Sequence, residues 1–242
     1  MNTYQDNFLI IQAFQDLLSR TRKNEKFISI SEKEFNNQIY LDFYYDACVN
    51  EANTDKLQDI MLCSNDIGYC LSYLAVYRPY LNRTPFLPFQ RDTIEGSIFC
   101  RYLNMTFERY YNFWDRIGDL LNFHFKLLPE KVEDFPRVID KLSNIKSSSL
   151  NYDWLKNFKE NDFHKLNNSF RKIIVHHYNI ESYFINKLTE IDFDNSNEMT
   201  KLKNEFYGLV DFLFAQHQNT FTGFEKAINL IAELKTTMAN IV

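Results

Sequence analysis

Residues that interrupt regular structure are scarce in this chain. Its 242 residues include only five Gly and five Pro, well below ordinary usage. Val is sparse too, which argues against a fold of many short strands joined by tight turns. An excess of positive charge is also missing: 27 Lys and Arg stand against 32 Asp and Glu, for a formal net charge of −5. The surface as a whole is therefore no magnet for nucleic acid, and any such contact needs a local basic patch. No apolar run approaches membrane length, and the opening residues Met1 to Asp6 carry no basic leader. A soluble, cytoplasmic protein with no membrane partner is expected. The four cysteines, Cys48, Cys63, Cys70 and Cys100, never adopt Cys-x-x-Cys spacing, so reduced core thiols are expected rather than disulfides or a zinc site. There is no Gly-rich phosphate loop, no Gly-x-Ser-x-Gly and no His-Glu-x-x-His. His124, His164 and His217 are too scattered for ligand spacing, so no metal and no cofactor is expected.

Apolar side chains are abundant: 45% of residues, with 23 Phe and 15 Tyr, enough for a substantial core. They recur at intervals of three and four, which predicts an all-α fold, a helical bundle. A first helix is expected from about Tyr4 to Thr21, with a stripe of Tyr4, Phe8, Ile11, Phe14 and Leu18. Ser31 and Glu34 form a capping box opening a second, carrying Phe35, Ile39 and Phe43. A third follows Asn53 and is expected to bury Leu57, Ile60, Ser64, Ile67, Leu71 and Leu74 and to stop before Pro79. Pro79, Pro85 and Pro88 cluster between Arg78 and Arg91. We place a division there: an N-terminal helical region over 1–88 and a helical bundle over 89–242.

From Thr93 the pattern runs to about Leu128, with Pro129 expected to end it. A short helix follows Pro136, a loop spans Asn144 to Asn151, and Trp154 and Phe158 mark a helical turn or two. One helix is expected over Asp162 to Leu188, an acidic loop over Glu190 to Glu198, and a long last helix from about Leu202 to Met238, bent at Gly208 or Gly223. Glu108, Asp115 and Asp119 with Arg109 and Arg116 read first as ion pairs along a helix, and alternatively as carboxylates that orient a catalytic Arg. Tyr110, Tyr111 and Trp114 read as core and flank rather than a stacking platform.

The most informative stretch runs from Asn167 to Asn179. Arg171 stands five positions before His176, and Tyr178 follows two later. A guanidinium forks onto phosphate oxygens and an imidazole moves protons near neutral pH, so the pair suits work on a phosphodiester. On one ideal helix His177 falls on the apolar stripe, between Ile173 and Ile180, and reads as a core histidine. His176 is rotated about 100° from it. Arg171 and His176 are about 140° apart on that helix, and a facing second copy would let the two converge. Asn167, Arg171, Ile174 and Tyr178 share a face. The plain alternative is an exposed Arg beside a part-buried His.

In an all-helical chain the string Arg171, Lys172, Ile173, Ile174, Val175, His176, His177, Tyr178 resembles the HEPN superfamily, whose signature is an Arg, four to six residues and a His. Lys172 departs from the Asn or Asp more common after the Arg. Glu108 to Phe123 looks like the long second helix of larger HEPN proteins, and the resemblance covers roughly Thr93 to Met238. It implies a HEPN-like core with additional N-terminal helices, dimerising so that two motifs share a cleft. It also implies a metal-independent endoribonuclease, of a toxin or phage-defence kind. Arg171 and His176 would be catalytic, supported by Lys172, His177, Tyr178 and Asn167. A paired nucleotidyltransferase antitoxin would attach AMP to Tyr178. Other members of the superfamily are non-catalytic binding or dimerisation modules, which is the alternative reading here.

Overall fold

The computed structural model describes residues 3–21, 54–81, 89, 93–129, 134–143, 149–167, 179–191 and 196–239. Among them are seven α-helices and no strand: α1 Thr3–Thr21, α2 Thr54–Leu81, α3 Ile94–Phe125, α4 Phe135–Leu142, α5 Leu150–Phe158, α6 Ile180–Thr189 and α7 Ser196–Ala239. A π-helical turn, Lys159–Phe163, continues α5. The chain is all-α, as expected. The expected helix opened by Ser31 and Glu34 lies outside the described residues.

α3 is the central element. Thr93 caps it by accepting the Gly96 amide at 3.0 Å. It buries Phe99, Leu103, Phe107, Tyr110, Trp114, Ile117 and Leu121, the spacing of its stripe. α2 packs along it, and α4 and α7 pack against it as well. One apolar core runs through all seven helices. α2 buries every expected position from Leu57 to Leu74.

Two aromatic knots absorb much of the Phe content. In one, the Trp114 ring stacks on Phe158 with centroids 4.0 Å apart and meets Phe135 at 5.1 Å. Phe163, from the π turn, joins it through Phe135 at 5.2 Å. In the other, Phe89, Phe184 and Phe206 lie 5.2 to 5.6 Å apart, with Phe99 against Phe206. Such pairs contribute roughly 0.5–1.5 kcal/mol each beyond burial. Tyr110 is buried and its hydroxyl donates to the Leu213 carbonyl at 2.7 Å, so it is core, as read.

Several expectations need correction. α1 buries Ile10 and Phe14, while Phe8 and Ile11 are exposed. Its main neighbour is α2, and that contact needs only the narrow face on which Phe14 stacks against Tyr69. α2 passes through Pro79 to Leu81. Proline removes one bond to the preceding turn, but only two helical residues follow it. Packing holds that last turn: Tyr77 and Leu81 are buried, and Arg78 pairs with Asp211 of α7 at 2.5 and 3.2 Å. α3 ends at Phe125, not at Pro129. Lys126 takes the left-handed conformation, φ 50 and ψ 43, and the Asn122 amide bonds both the N–H and the carbonyl of Leu128.

Ser149 caps α5 by accepting the Tyr152 amide, so a helix begins inside the expected loop. α7 likewise starts at Ser196, within the stretch read as an acidic loop. The helix expected over Asp162 to Leu188 is not continuous. Asn179 is extended, φ −69 and ψ 161, and its side chain caps a new helix by accepting the Ser182 amide at 2.9 Å. The acidic and basic groups of α3 pair chiefly across helices: Arg109 meets Asp66 at 3.3 Å and Arg116 meets Asp59 at 3.9 Å, both Asp on α2. The in-helix pair Arg116–Asp119 is also present, at 3.2 Å.

Gly223, read as a possible bend, has a packing role. A Cβ there would lie 2.2 Å from Cη2 of the buried Trp114 ring, whereas one at Gly208 would meet nothing within 4 Å. Gly223→Ala should therefore destabilise by about 1–3 kcal/mol through overpacking. Gly208→Ala should stabilise by about 0.5–1 kcal/mol through helix propensity. Urea unfolding of both variants checks the pair; equal effects of one sign would contradict this account of α7.

Candidate functional site

Arg171, Lys172, His176, His177 and Tyr178 lie outside the described residues. The described chain stops on one side at Asn167, which is half-buried, and resumes on the other at Asn179. Both flanks are anchored. Before the motif, Phe163 is locked in the first aromatic knot. Asp162 accepts from Asn219 of α7 at 3.4 Å, and the Lys165 ammonium sits 4.6 Å from the centre of the Phe212 ring. Lys165 and His164 are exposed. π-helical turns are uncommon and recur at functional positions. Here the turn lies directly upstream of the motif.

After the motif, one side chain does most of the work. Asn104 of α3 donates from Nδ2 to its own helix at the Cys100 carbonyl, 2.9 Å, and to Glu181 Oε2, 2.8 Å. Its Oδ1 accepts the Ile180 amide at 3.0 Å. An asparagine amide has two donor hydrogens and one acceptor oxygen, and each is engaged. Ile180 and Glu181 form the first turn of α6 and both are buried. The acidic Glu181 in that turn also complements the positive end of the helix. Phe184, one turn on, enters the second aromatic knot.

Sequence reasoning missed Asn104 and Glu181. Asn104 sits on the edge of α3's apolar stripe, where it reads as a solvent-facing residue, and its partners are 76 and 77 positions away. Asn179 carried a usable signal: an Asn followed by an acidic residue and a Ser is an acceptable helix start. The apolar stripe on either side hid it.

Elsewhere, burial pushes the Cys63 thiol up and the Cys70 thiol up to about 12. Cys63, Cys70 and Cys100 are free, the last two buried, which matches the core reading; Cys48 lies outside the described residues. Among the described residues no group of three or more His, Cys, Asp or Glu could hold a metal ion. No described helix is long and apolar enough to cross a membrane. His217 on α7 is buried beside Phe221. Neither ring nitrogen has a hydrogen-bond partner among the described residues, and desolvation lowers its pKa from 6.5 to about 4.

Residues 89–230 match the Cthe2314-like HEPN family. No curated protein and no solved structure matches the chain.

Two outcomes follow for the anchors. Asn104→Ala removes the partner of the Ile180 amide and one partner of the Glu181 carboxylate, and should cost about 2–4 kcal/mol in urea unfolding. A loss under about 0.5 kcal/mol would show that water replaces the asparagine. His217 takes up a proton more readily unfolded than folded. Stability should therefore fall as pH drops below 6.5 towards 4. Between pH 7 and 4.5 wild type should lose about 2–3 kcal/mol more than His217→Leu; parallel pH profiles would contradict this.

Proposed function

As the chain belongs to the Cthe2314-like HEPN family, we propose that it is an endoribonuclease of HEPN type that needs no divalent metal. The observation that carries this reading is the motif itself. Arg171, His176 and Tyr178 stand at HEPN spacing within the matched residues 89–230. On this reading His176 removes the proton from a 2′-hydroxyl, and the freed oxygen attacks the adjacent phosphorus. Arg171 forks onto the phosphoryl oxygens and stabilises the charge that develops there. The products are a 2′,3′-cyclic phosphate and a 5′-hydroxyl end. Lys165, Arg171 and Lys172 lie close together in the sequence of an acidic protein, a basic cluster suited to RNA.

The finer parts of the reading follow from the family likeness. The active form is a homodimer in which two motifs share a cleft, acting in the cytoplasm as a toxin or phage-defence effector. A nucleotidyltransferase antitoxin silences it by attaching AMP to Tyr178. Residues 89–242 form the HEPN-like bundle, with residues 1–88 as an N-terminal helical region. Lys172, His177 and Asn167 support the pair. The preference for His176 over His177 now rests on motif spacing, because the apolar stripe that made His177 a core residue assumed one helix through Asn179.

The test is cleavage of single-stranded RNAs in EDTA. His176→Ala should abolish cleavage and leave the circular dichroism spectrum unchanged. Arg171→Lys should also be strongly impaired, since an ammonium cannot make the bidentate contact. His177→Ala should impair cleavage less than His176→Ala, as expected of a supporting residue. Full activity in His176→Ala, or strict dependence on added magnesium, would overturn the mechanism. Silence of wild type across varied RNAs would favour the non-catalytic binding module.

A further inference from the structure

We draw no further inference here: the strongest candidate, the apolar surface patch of α1 on which Phe8 and Ile11 are exposed beyond the narrow face that packs on α2, carries nothing because nothing in the structure shows what covers it.

Discussion

The contact between Asn104 and the first turn of α6 is the constraint on which the downstream flank of the motif depends. α6 has only ten residues, too few to be stable alone in water. It is helical because both of its ends are tied to something larger. Asn104 and the Asn179 cap define where it starts, Phe184 seats it in an aromatic knot, and Lys187 pairs with Glu205 of α7 near its end. The starting point matters most, because it converts a stretch that looks like one long helix into two separate elements with the motif between them.

The heavy use of Phe has a related logic. The two aromatic knots lie on either side of the motif in sequence, one holding Phe163 and the other Phe184. Both draw on α3 and its neighbours, which are among the most deeply buried parts of the chain. Flat rings of large area bury much surface with few rotatable bonds, so each flank is fixed at small entropic cost. Ion pairs between α2 and α3, such as Arg109–Asp66, are exposed enough that they set register more than stability.

Much of this was legible in the sequence. The stripe of α2 is legible residue for residue, because that helix is long and is packed over much of its length. Legibility failed where a helix is packed chiefly along one narrow face, as with α1, whose Phe8 and Ile11 face outward. It failed again where a cap interrupts a continuous stripe, as at Asn179. Apolar periodicity reports which side of a helix is buried and is silent about where the backbone turns. Gly223 could not be read as a packing residue without knowing that Trp114 lies over it. The motif was found by spacing, and Asn104 could not be found that way, since hydrogen bonds between distant residues leave no local pattern.

The downstream flank depends above all on a fixed start of α6. Native-state hydrogen exchange of the wild-type protein measures this at a single amide, that of Ile180. Bonded to Asn104 and buried, it should exchange only through an opening nearly as costly as global unfolding, in step with the buried amides of α3. Exchange at the rate of a fraying helix end, with α3 still protected, would show that α6 starts loosely and would contradict the account.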